Sequence, residues 1–179
     1  MLKLMQRFFR GDDAAARDAS TIYATLMRQS RNAEFYGDRR VPDTQSGRIE
    51  VLVLHIAPVM NILATHGEQG KLLSQALFDT MKQDFDTALR EEGYSDSGVK
   101  RRIKPMVQRF YSGLMAYGKA FDAGDHAELT SEIAKDLEDT PGVFVDKLAI
   151  YARDFRLSLS SRSLGDIAQG RFTFPSLPA

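Results

Sequence analysis

The apolar positions of this chain recur at helical spacing almost from end to end, and no segment shows the period of two that a half-buried strand requires. From about Ala14 to Asn32, Ile22, Tyr23 and Leu26 fall on one face of a first helix. The polar stretch from Gly37 to Ser46 interrupts the pattern as a loop. From about Gly47 to Thr65 the residues are apolar nearly all round, which places a second helix at the centre of a bundle. Pro58 within it removes an amide donor and predicts a kink. A third helix from about Gly70 to Glu92, stopping at Gly93, turns Leu73, Leu77, Met81, Ala88 and Leu89 inward. The fourth is the clearest: Val99, Ile103, Met106, Phe110, Leu114, Tyr117 and Phe121 follow one another at three or four residues and make one continuous stripe. Ser95 or Asp96 caps its start, and Pro105 predicts a bend.

Asp125, His126, Ala127 and Glu128 form a capping-box pattern that opens a fifth helix carrying Leu129, Ile133 and Leu137. Thr140 followed by Pro141 reads as the cap and first position of a sixth, with Val145, Leu148, Ala152 and Phe155 or Leu159 inward. Ser163 to Asp166 starts a short last turn, and the tail from Arg171 to Ala179 is expected to be extended. The pattern as a whole predicts an all-α fold. It is a single compact domain of about six helices with a central apolar helix, residues 14–179, preceded by an N-terminal amphipathic arm at 1–13. In the arm Met1, Leu4, Met5 and Phe8 share a stripe, and Gly11, Asp12 and Asp13 break it. Such an arm either lies on an anionic membrane surface through Lys3, Arg7, Phe8, Phe9 and Arg10, or packs on the domain or on another copy.

Composition narrows the function classes. A length of 179 residues and an apolar share of 43% support one proper core. Zero formal net charge gives no global basic field, so no direct specific contact with nucleic acid is expected. The absence of cysteine excludes a disulfide scaffold, a thiolate zinc site and a cysteine nucleophile. Val51 to Ala64 is too short for a membrane span and is interrupted by His55, Pro58 and Asn61. The first residues lack the apolar run of a signal peptide. A soluble, cytoplasmic protein is the expectation.

Candidate chemistry is sparse. The Glu-x-x-His pairs of a dimetal bundle are missing, as is the His-Glu-x-x-His helix of a zinc protease, and Glu50 and His55 are five apart, on different helix faces. No metal, cofactor or catalytic residue is therefore assigned. His55, mid-helix among aliphatic residues, reads as a core histidine bonded to a neighbouring element, and pinning the turn of Val41, Pro42, Asp43 and Thr44 is a natural task for it. A cavity beside it for haem, quinone or lipid is the alternative. Asp79 and Asp86 share a face of the third helix, with Asp84 elsewhere. Lys100, Arg101, Arg102 and Lys104 crowd the first turns of the fourth, where the helix macrodipole disfavours cations by ~0.3–1 kcal/mol each. Acids of the third helix, an acidic partner or phosphate groups would offset that. Tyr36 and Tyr111 pack in the core or line a groove for a partner helix.

One ordered set of residues carries a family likeness. Ile22, Tyr23, Arg31, Phe35, Tyr36, Val41 to Thr44, Gly47, Arg48, Leu54, His55, Leu77 to Asp79, Asp84, Asp86, Leu89 to Glu91, Gly93, Asp96, Val99, Phe110, Tyr111 and Tyr117 resemble the ubiquinol–cytochrome c chaperone family over roughly residues 20 to 122. The resemblance implies a non-enzymatic assembly factor, here a bacterial member. Its partner would be cytochrome b during maturation of ubiquinol–cytochrome c reductase, at the cytoplasmic face of the inner membrane, alongside the ribosome or a second assembly factor. On this likeness Arg31, Tyr36, Asp43, Arg48, Asp79, Asp86, Arg90 and Tyr111 are the candidate partner contacts. The chain departs from the family pattern at Pro58 and Asn61, where an apolar and a basic residue are usual. It departs again at Ser112 and Gly113, where Gly-Arg is usual, and at Ser95, where Gly is common.

Overall fold

Thr44, Ser95, Asp125 and Ser163 each turn a side-chain oxygen onto the backbone amide three residues on, and at each of them a helix begins. In the computed structural model the elements are α1 (Leu2–Ser30), a 3-10 turn (Ala33–Phe35), α2 (Gln45–Ala64), α3 (Gly67–Glu91), α4 (Asp96–Ala123), α5 (His126–Asp136), α6 (Gly142–Ser160) and α7 (Leu164–Ala168). The structure describes the backbone of residues 2–137 and 139–178 and the side chains of residues 13–137 and 139–178. Among the described residues there is no strand, only a lone bridge between Tyr36 and Val41 that closes the loop before α2. The all-α expectation holds, and α7 is the short last turn expected at Ser163.

Two boundaries differ. α1 begins at Leu2, so Gly11 lies inside a helix and does not separate an arm from it. The expected membrane-facing residues Lys3, Arg7, Phe8, Phe9 and Arg10 lie outside the described side chains. α6 has Pro141, not Thr140, at its cap position, and the Thr140 hydroxyl is buried without a hydrogen-bond partner among the described residues.

α2 is the hub. It contacts α1, α3, α4 and α6, and Val51 to Val59 are all buried. By length and composition it could cross a membrane, yet its side chains are enclosed by the other helices. That enclosure is why its apolarity runs all round and not along one stripe. The stripe of α4 behaves as its spacing predicts, with Val99, Phe110, Leu114, Tyr117 and Phe121 buried and Ile103 and Met106 half-buried. The tail after α7 has no regular structure, but it is anchored. Phe172 is buried, Phe174 lies 4.8 Å from Phe155 between ring centroids, and the two tail rings meet edge to face.

Candidate partner-binding surface

His55 is fully buried and both its ring nitrogens are engaged. Nδ1 lies 2.7 Å from the Val51 carbonyl and so carries the proton; Nε2 then accepts from the Tyr151 hydroxyl at 2.9 Å. Burial pulls its pKa down to about 4, so the imidazole is neutral. Phe35, Tyr151, Phe155 and Phe174 surround the ring. The expectation that His55 pins the Val41–Thr44 turn is corrected: its partners are its own helix and α6. The turn is held instead by backbone bonds from Val41 N–H to the Phe35 carbonyl and from Gly37 N–H to the Val41 carbonyl. The Asp43 carboxylate grips Arg48 in a fork at 2.6 and 3.1 Å.

Beyond that turn, the first turns of α2 shape one wall of a cleft of about 180 Å³ at the end of α1. Met27, Ile49, Leu52, Phe85 and Met106 supply its apolar lining, and Arg31, Tyr36, Arg48 and Asp84 its charged and aromatic polar part. The Tyr36 hydroxyl donates to the Ser30 carbonyl at 2.6 Å, and burial pushes its pKa up to about 12. Of the eight predicted contacts, Arg31, Tyr36 and Arg48 thus line one cleft, and Asp43 is joined to it through Arg48.

The other four lie elsewhere. Arg90 bridges Asp86 and Asp96, both at 2.5 Å, and ties the end of α3 to the start of α4. Asp79 accepts from Gln75 at 3.1 Å, and Asp84 accepts from the Tyr23 hydroxyl at 2.8 Å. Every acid singled out on α3 therefore has a partner other than the basic cluster of α4, and the internal pairing weighed for that cluster does not form. None of Lys100, Arg101, Arg102 and Lys104 makes an ion pair with a described residue. Arg102 lies 3.8 Å over the Tyr94 ring, and Lys100 only adds to the field that Arg90 sets at Asp96.

Tyr111 stands at a second depression of about 240 Å³ between α2, α3 and α4, lined by Met60, Ala64, Ser74, Gln75 and Phe78 with Lys71 at the rim. Its ring meets Phe78 edge-on at 6.4 Å. Tyr111 is 54% exposed, and Met115, one turn on, is 58% exposed. Sequence reasoning did not single out Met60 or Met115, and it named Phe78 only within the family likeness. The spacing of four from Tyr111 to Met115, off the buried stripe of α4, is the signal that was available.

A third feature was also missed. Glu50 is 2% exposed, and its Oε1 lies 2.5 Å from Arg109 Nε, close enough for an ion pair though not aligned as a hydrogen bond. Burial raises its pKa to about 7, reinforced by Asp136 and offset in part by Arg109. Arg109 also donates to the Asp136 carbonyl at 3.1 Å, so it clamps α2 and α5 to α4. Among the described residues no cluster of three or more metal-ligating side chains occurs.

Comparison with known proteins points one way. The family model described as ubiquinol-cytochrome C chaperone matches residues 37–174. Ubiquinol-cytochrome c reductase complex assembly factor 1 of Mus musculus is 21% identical over 108 residues, covering 60% of this chain and 37% of the mouse protein. Its Homo sapiens counterpart is likewise 21% identical over 108 residues, 36% of its length. The chain thus spans little more than a third of these curated relatives. The crystal structure of the Cbp3 homolog from Brucella abortus is similar over 98% of this chain and 97% of its own, with a TM-score of 0.78 and 29% identity.

Proposed function

Because the chain belongs to the ubiquinol–cytochrome c chaperone family, we propose that it is a non-enzymatic assembly chaperone that binds cytochrome b while ubiquinol–cytochrome c reductase matures. The single observation that carries the reading is the depression beside α4, where Tyr111 stands in solvent next to Met60 and Phe78 and Met115 is exposed one helix turn further on. Soluble domains rarely leave aromatic and methionine side chains grouped in the open unless something docks on them. Methionine, with its soft and flexible side chain, suits a client surface that must fit loosely and release.

The Arg31, Tyr36 and Arg48 cleft, with Asp43 paired to Arg48 beside it, is a second contact surface, suited to a further assembly factor or to the ribosome. Asp79 adjoins the first surface, while Asp86 and Arg90 brace the corner between α3 and α4. The basic start of α1 would set the protein on the cytoplasmic face of the inner membrane. The groups with displaced pKa values support a non-catalytic reading, because His55 is tied to Tyr151 inside the core and Glu50, itself buried, is tied to Arg109. The carrier reading is weaker for the same reason: a haem iron at His55 would have to displace Tyr151 from Nε2.

Disrupting the gene and recording b-type haem spectra and reductase levels in membranes tests the proposal. Both are expected to fall, and unchanged reductase sinks it.

A further inference from the structure

The exposed edge of α4 runs through Lys100, Lys104, Gln108, Tyr111 and Met115, at spacings of four, four, three and four, with Arg101 beside the first. It is one solvent-facing line on one helix. The line is cationic at its N-terminal end and apolar at its C-terminal end. At the helical rise, Lys104 stands about 10 Å and Lys100 about 16 Å from Tyr111 along the axis. Among the described residues the cationic end forms no ion pair: Asp79 is taken by Gln75, Asp84 by Tyr23, and Asp86 and Asp96 by Arg90. It also sits where the macrodipole disfavours positive charge.

We propose that this edge receives a helical protein segment whose apolar residues fill the depression at Met60, Phe78 and Tyr111 and extend over Met115, and whose carboxylates, two to three turns away, lie over Lys104, Lys100 and Arg101. The inference rests on the chaperone reading and adds the chemistry of the bound segment: an apolar helix with an acidic flank at a set distance. Concavity selects a protein helix over a lipid surface. Met60 and Phe78 are half-buried between three helices, where a side chain can enter and a bilayer plane cannot. Paired apolar anchors at helical spacing are how grooves of this kind hold a helix.

The test uses the full chain and two synthetic Leu- and Ala-rich helical peptides, identical except for three Glu or three Gln placed two to three turns from the apolar stretch. The Glu peptide is expected to bind at least about tenfold tighter at low salt, with the difference shrinking as salt rises. Lys100→Glu, Arg101→Glu and Lys104→Glu together should abolish the difference, and the milder Lys100→Gln, Arg101→Gln, Lys104→Gln set should reduce it if the reversal fails to fold. Tyr111→Ser with Met115→Ser should weaken both peptides. Equal binding of the two peptides overturns the inference, as does a preference that survives the charge changes. So does binding of anionic phosphatidylglycerol vesicles through these cations with no peptide preference. Failure here with reductase still dependent on the gene removes this inference alone; unchanged reductase in the gene disruption removes the chaperone reading whatever the peptides do.

Discussion

Tyr151 gives its hydroxyl proton to the free nitrogen of His55 and also accepts from Gln29 at 3.2 Å, so one phenol links α1, α2 and α6. Tyr151→Phe keeps the ring and removes the link, which leaves a buried imidazole nitrogen without a donor. The expected loss is about 1–3 kcal/mol of stability, read from urea unfolding. Glu50 makes a different kind of statement. Its carboxyl has a folded pKa near 7 against an ordinary value of 4.5, so the native state holds a proton that the unfolded state has released between those pH values. Its contribution is therefore greatest below about pH 4.5, declines as pH rises towards 7, and is flat above that. The total swing is bounded at about 3.5 kcal/mol, taking about 1.4 kcal/mol per pH unit. Unfolding midpoints across pH 4.5 to 8 should show this slope in the native chain and a flatter profile in Glu50→Gln. A slope unchanged by that substitution would mean the titration belongs to another group.

Among the elements, the start of α2 depends on a close approach. A Cβ at Gly47 would overlap the Pro42 carbonyl oxygen and crowd Val41, because the turn folds back against the first turn of the helix. Gly47→Ala must push the turn away, at a cost of about 1–3 kcal/mol, and it should loosen the wall of the Arg31, Tyr36 and Arg48 cleft. Thermal unfolding together with amide exchange at Val41 and Gly37 would register both effects. An unshifted melting temperature would contradict the packing described. The boundaries of these helices were legible because caps are local: Ser95, Asp125 and Ser163 act on amides three residues away, so the signal and its effect share one turn of chain. Thr140 misled for the mirror reason. Its sequence context is that of a cap, but the helix begins one residue later, Pro141 holds the cap position and the buried Thr140 hydroxyl bonds to none of its amides.

At the scale of the molecule, the exposed Tyr111 and Met115 add nothing to the core, so their removal separates folding from function. Tyr111→Ser with Met115→Ser should leave unfolding free energy within about 0.5 kcal/mol while reductase accumulation in membranes drops; a large loss of stability would place these side chains in the fold's own packing. The sequence by itself determined the helical class, the central place of α2, the buried stripe of α4 and the family likeness. Each of these rests on periodicity, on capping between residues a turn apart, or on an ordered run of residue types. Only the tertiary structure decided who pairs with whom. His55 finds Tyr151 across 96 residues, Arg109 of α4 reaches Glu50 of α2, and the tail brings Phe172 and Phe174 onto Phe155. It also decided that the acids of α3 leave the cations of α4 unanswered. Helical spacing says which face of a helix is apolar; where each charged side chain ends depends on how the helices cross and rotate against one another. That is a property of the whole core, and no local stretch of chain encodes it.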